Sequence, residues 1–231
     1  MLPWGATEAH NYHLPYTTDC IQCDYVAAEA ARKAWEAGAR VMVLPTVPFG
    51  VDTGHLGITG VVNMRPSTQA AVLRDVAESL SHQGIDKLVV LNGHGGNNFK
   101  ALIREVQVDV PDVFVCLAEW FRVGDPHRYF DEPGDHAGEL ETSVMLHVAP
   151  DLVRPLSEAG DGAARTFAVK ALREDWAWAE RHWPSVTADA GVGNPKAATA
   201  EKGAAYLEEV TTKLADLFAD LAAADRDALY A

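Results

Sequence analysis

The 231-residue chain is 48% hydrophobic and carries 33 acidic against 19 basic residues, a net charge of −14. That length supports a single α/β domain with a real core, and a surface this acidic repels phosphate backbones and anionic lipid, so nucleic acid and membranes are excluded as expected partners. No apolar run reaches membrane-spanning length and no basic, apolar leader is visible; with three cysteines, Cys20, Cys23 and Cys116, the expected location is a reducing cytoplasm.

In chain order, MLPW reads as the end of a first strand, and TEAHNYHLPYTTD (7–19) then crowds Glu8, His10, His13 and Asp19 together. CIQCDYVAAEAARKAWEAG is Ala-rich, lacks proline and stops at Gly38, which predicts a helix with Thr18 or Asp19 at its N-cap. The lone CxxC at Cys20–Cys23 has neither a thioredoxin-like context nor a second thiol pair, so it reads as two small residues in the helix's first turns. RVMVLP (40–45) is a short apolar run of strand type, and 46–65 reads as a long loop, with a short strand near Gly60–Met64. Pro66 opens a helix that runs to Gly84.

DKLVVLN (86–92) is the clearest buried strand; GHGGNN and a helical FKALIREVQVDV follow. DVFVCLAEW (112–120) is another strand, 124–136 a loop, ELETSVMLHV a helix ended by Pro150, and 200–225 a final helix. Strands alternating with helices predict an α/β domain over 1–231, with a mostly parallel sheet covered on both faces. Such sheets place ligands in loops at the strand carboxyl ends, where His94, His136 and the Glu8–His13 stretch fall.

Glu8 and His10 are two apart, so extended backbone points them the same way. Asp19 begins a helix, and His94 sits on a Gly-flanked turn that lets backbone approach a ligand. Two carboxylates and two imidazoles suit Zn²⁺, Mn²⁺ or Fe²⁺. A bridging carboxylate lets two ions sit roughly 3.5–4 Å apart, with a water between them that loses a proton near neutral pH and attacks a carbonyl.

His136 and Glu139 are three apart on a predicted helix start and share a face. That makes Glu139 a candidate metal ligand and His136 a group that polarises a carbonyl or shuttles a proton. Glu141, displaced by two, points elsewhere and is placed with His136 among the catalytic candidates. His55 lies in a long loop of the kind that often lines a site. His13 either touches the site or bonds a backbone carbonyl. His82, His147 and His182 read as surface or packing residues. GHGGN lacks the lysine of a P-loop and the spacing of GxGxxG. Trp176, Trp178 and Trp183 read as helix packing or an oligomer interface, outside the site.

Together the pieces resemble the creatininase family. LPWGATEAHNYHLPYTTD is similar to its opening, LPxGSxEQHGxHLPxxTD; LNGHGGN resembles its second motif, DHAGELETSVML its third, and GVGNPKAATAEKG its C-terminal signature. The resemblance implies a three-layer α/β/α fold, often hexameric, and a divalent-metal amidohydrolase acting on a small-molecule amide. By position, Glu8, Asp19 and His94 would bind one ion, His10 and a bridging Asp19 the other, and His136 would face the substrate.

Gly95 and Gly96 stand where creatininase itself carries tyrosine and a ligand glutamate, which argues against creatinine as substrate and makes Glu139 the candidate replacement ligand. Ala9 and Asn11 replace the usual Gln and Gly. The expectation is a cytoplasmic, homo-oligomeric hydrolase of a non-peptide C–N bond, a cyclic amide or formamide, using two divalent ions. Two alternatives stand beside it: an isomerase or aldolase running on the same ions with a sugar-like substrate, and a non-catalytic metal-binding module.

Overall fold

The computed structural model describes residues 1–230. Three parallel strands, β1 (Leu2–Trp4), β2 (Lys87–Asn92) and β3 (Phe114–Glu119), lie side by side in that order. Their register aligns Trp4 with Asn92 and Asn92 with Glu119, so all three strands end at one edge. Helices α1 (Thr18–Glu36) and α2 (Pro66–His82) lie in the β1–β2 crossover, and α3 (Phe99–Asp109) joins β2 to β3. After β3 come α4 (Glu139–Val148), the single turns α5 (Lys170–Arg173) and α6 (Trp183–Val186), and the long α7 (Ala200–Ala223).

The period-2 alternation of β2 produces the three layers. Leu88 and Val90 join a core with Leu73, Ala77, Phe99 and Val106 of α2 and α3. Val89 and Leu91 face the opposite way, into a core with Val26 and Ala30 of α1 and Leu207, Val210 and Leu214 of α7. Each such Val or Leu contributes roughly 1.5–3 kcal/mol on burial. The result is the expected α/β/α sandwich around a parallel sheet.

The predicted strand at 40–45 does not form a regular ladder. Its backbone runs beside β1, with Leu44 N donating to Met1 O at 2.9 Å and Val47 N to Pro3 O at 3.0 Å. Pro45 and Pro48 lack the N–H groups a ladder needs, and only an isolated bridge, Trp4 to Val47, remains. Helix α4 is held against α7 at Gly203, where a Cβ would overlap the Ser143 carbonyl and lie 2.8 Å from Val144 N. Among the described residues no helix is long and apolar enough to cross a membrane.

Candidate active site

The common edge where β1, β2 and β3 end carries a buried polar cluster. Glu8 and His10 follow β1, Asp19 sits in the first turn of α1, His94 follows β2, and all four are at most 5% exposed. His94 Nδ1 lies 2.7 Å from Glu8 Oε1 and 3.1 Å from Asp19 Oδ2. The other Asp19 oxygen, Oδ1, is 3.0 Å from His10 Nε2. Asp19 therefore turns one oxygen toward Glu8 and His94 and the other toward His10.

Backbone carbonyls fix the imidazoles from behind. His94 Nε2 lies 3.0 Å from Val51 O, His10 Nδ1 3.2 Å from Glu8 O, and His136 Nε2 2.8 Å from Ala9 O. A neutral ring donating there presents its other nitrogen, as a lone pair, to the cluster. Gly96 is required beside His94, because a Cβ would overlap both its Nε2 and the Val51 carbonyl. Asn11 has φ of 53°. Asn tolerates that left-handed conformation better than most residues, and here its Oδ1 accepts from Gly160 N at 2.8 Å.

The positions of the two α4 glutamates differ from expectation. Glu139 is fully buried, but one of its oxygens pairs with Lys202 and the other accepts from Glu132 N at 2.9 Å. It does not face the cluster. Glu141 does: its Oε1 is 3.9 Å from His10 Nε2, and its Oε2 accepts from Ala137 N. The expected shared face of His136 and Glu139 fails because α4 starts only at Glu139. His136 lies before the helix, and Ala137 between them takes φ of 50°, which re-aims the chain.

His136 Nδ1 is 3.9 Å from Glu8 Oε1, and its ring packs 4.2 Å from that of His10. His55 also reaches the cluster, with Nδ1 3.2 Å from Glu8 Oε2. His13 does not; its Nε2 meets Thr142 Oγ1 on α4 at 2.8 Å. One participant was absent from the sequence expectations and another was placed outside the site. Asp52, in the turn before His55, places Oδ1 3.3 Å from His94 Nε2. Trp183, expected outside the site, stacks on His55 at 4.1 Å and meets His136 edge-on at 4.8 Å. Trp176 and Trp178 are exposed, although Trp178 borders the cavity above the cluster. That cavity is about 700 Å³ and is also bordered by Lys100, Phe121, Arg122 and Arg181.

Electrostatics and geometry both fit this cluster to metal. Burial works against charge, yet His94, His136 and His10 hold the Glu8 carboxyl well below the usual carboxylate range. Burial likewise opposes a charged His10, but Asp19, Glu141 and Glu8 outweigh it and raise its pKa to about 10. His94 is raised in the same way by Glu8 and Asp19. Burial pushes Asp52 up to about 8 and also raises Glu141. Despite the short separations, both Asp19 oxygens, Glu8 Oε2 and His10 Nε2 are buried without a hydrogen bond. One ligand atom from each of Glu8, Asp19 and His94 falls within 4.8 Å of the others, and the same holds for His10, Asp19 and Glu141. The carboxylate–imidazole donor set suits a borderline divalent ion. Cys20 and Cys23 are buried thiols directed at backbone carbonyls of Ala6, Trp4 and Leu91, outside these groups, as the packing interpretation of CxxC expected.

The creatininase profile, described as creatinine amidohydrolase, matches residues 1–218. The chain belongs to the creatininase family. A putative creatinine amidohydrolase from Bacteroides fragilis NCTC 9343 is 50% identical and superposes with a TM-score of 0.94, covering all of this chain and 90% of that one. Mycofactocin precursor peptide peptidase of Mycolicibacterium smegmatis is 28% identical over 221 residues, 94% of this chain and 82% of its own. Creatininase in zinc–zinc (a mutant) and manganese forms is 25% identical, with TM-scores of 0.76 and 0.77, over 97% of this chain and 90% and 91% of theirs. These similarities bear out the sequence resemblance and the sandwich fold, and they identify a hydrolase of the creatininase family whose relatives bind zinc or manganese.

Proposed function

We propose that this creatininase-family hydrolase cleaves a C–N bond of a small amide, a cyclic amide or formamide, at a two-ion centre. Glu8, Asp19 and His94 would hold one ion, and His10, Asp19 and Glu141 the other. The observation that carries this assignment is Asp19, buried, with its two oxygens turned to two different donor sets and hydrogen-bonded to neither. Glu141 supplies the carboxylate that Gly96 lacks, in place of the expected Glu139. Bound divalent ions supply the Lewis acidity that activates water and stabilises negative charge on the substrate's carbonyl oxygen.

The chain's own groups do the rest. Val51, Glu8 and Ala9 carbonyls fix the three rings, so the facing nitrogens need no reorganisation. His136 stands at the cavity floor against Trp183, where it orients the carbonyl or protonates the departing nitrogen. The α6 segment covers His55 and His136 and limits water around them. A cavity of about 700 Å³ accommodates more than a compact lactam, so a peptide-like amide is the second substrate class to test, consistent with the peptidase relative.

The test is metal analysis followed by a product-mass screen of lactams, cyclic ureides, formamides and short peptides. Hydrolysis adds the mass of water, is lost on chelation and returns with Zn²⁺ or Mn²⁺. Turnover at unchanged mass would replace this proposal with isomerisation. A cytoplasmic homo-oligomer is part of the same proposal, and sedimentation velocity reads the subunit count.

A further inference from the structure

The two proposed centres take no ligand from Asp52 or His55, although both are buried against Glu8. A one-turn 3₁₀ helix, Thr53–His55, begins directly after Asp52. At three residues per turn, Asp52 and His55 fall on the same side. The turn is closed by His55 N donating to Asp52 O at 2.9 Å and pinned by Asp52 N donating to Asn63 Oδ1 at 2.8 Å. Gly54 lets the Arg181 carbonyl sit where a Cβ would be, and Trp183 lies flat on the His55 ring. These two side chains are therefore held in place rather than free to reorient.

They meet the oxygen of Glu8 that the first centre does not use. Glu8 Oε1 faces His94, whereas Oε2 lies 3.2 Å from His55 Nδ1. Asp52 Oδ1 is 3.7 Å from the same nitrogen. Asp52 is 1% exposed, and neither of its oxygens, nor Glu8 Oε2, makes a hydrogen bond. Among the described residues no Lys or Arg pairs with either carboxylate. Two buried carboxylates with no cationic partner beyond imidazoles are costly unless a cation or a shared proton lies between them. One ligand atom from each of Glu8, Asp52 and His55 falls within 4.8 Å of the others.

We propose that Glu8, Asp52 and His55 form a third site for a divalent transition-metal cation, adjoining the first centre and bridged to it through the two oxygens of Glu8. Two carboxylate oxygens and one imidazole nitrogen are a donor set for Zn²⁺ or Mn²⁺, and three protein ligands leave a position open toward the cavity that His55 borders. Because Glu8 serves both sites, this third site rests on the two-centre proposal.

The test strips the full-length protein with chelator, reloads it with excess ZnCl₂, desalts it and counts zinc by mass spectrometry. Three equivalents are expected for the native chain and two for Asp52→Asn and His55→Gln. Zinc-edge anomalous scattering from native crystals, which does not depend on any variant folding, is expected to show a peak among Glu8, Asp52 and His55. Two equivalents in native and variants alike, with no such peak, overturn the third site and leave the two-centre proposal standing; Glu8 and Asp52 then share a proton instead. A native chain that retains no zinc overturns both.

Discussion

Gly203→Ala tests whether the fold sets the geometry of the site. Gly203 lies near the start of α7, where alanine is favoured over glycine by about 1 kcal/mol, so helix propensity alone predicts a more stable protein. The structure predicts the reverse. The new methyl would overlap the Ser143 carbonyl and sit 2.8 Å from Val144 N, both main-chain groups of α4 that cannot rotate away. Restoring ordinary carbon separations of about 3.5 Å moves the helices apart by on the order of 1 Å. Overpacking of this kind costs about 1–3 kcal/mol, and contact with backbone belongs at the upper end. Subtracting the propensity gain leaves a net loss of about 2 kcal/mol, a fall in Tm of roughly 4–8 °C for a domain this size. Helix α4 also carries Glu141, so zinc content should drop in the same variant. Differential scanning calorimetry and metal analysis read both effects. A Tm equal to or above that of the native protein, with full zinc, would show that α4 yields easily and that its seat does not govern the cluster.

Glu141→Gln should lower zinc or manganese affinity by at least the roughly 10–100-fold seen when a group supporting a metal ligand is lost. Glu139→Gln should leave metal content intact and lower only the melting temperature, since that side chain faces Lys202. Inverted metal contents for the two variants, measured on the same preparation, would return the ligand role to Glu139. Loading zinc at neutral pH should expel protons, because His10 without metal stays protonated up to about 10 and His94 is raised as well. Calorimetric heats should therefore change with the ionisation enthalpy of the buffer; a buffer-independent heat contradicts this. For the chelated protein the sign follows from the raised His10 pKa. The stability it contributes is complete below about 6.5, the unfolded value, and disappears as pH rises through about 10. Thermal melts across that window should fall with pH; a flat profile removes the His10–Asp19 pair from the stability balance.

Much of the site was legible because it depends on local spacing. An ExH pair after a short strand, an aspartate opening a helix and a histidine after the central strand are each fixed by their own element, and parallel strands ending at one edge bring them together. The misses came where backbone departed from regular periodicity. Glu141 rather than Glu139 turns toward the cluster because Ala137, which the helical spacing was carried across, is not helical. Asp52 lay unremarked in a loop of Gly, Thr and Pro. The signal that could have found it was its i, i+3 spacing from His55, which a 3₁₀ turn converts into a shared face. Trp183 reaches the site through a tertiary excursion of the 150–198 segment that no local pattern encodes. The 40–45 strand was foreseen in position, but proline spacing decided that its pairing would be intermittent.

The carbonyls behind the histidines have a bearing on how such a protein diversifies. Residues 9 and 51 restrain the rings through main chain alone, so what they carry beyond the Cα is not constrained by that duty. Val51 also borders the cavity, so replacements at 51 can reshape its wall while the imidazoles keep their aim. A lineage built this way can alter what its cavity admits by ordinary point mutation, without first dismantling the cluster beneath it.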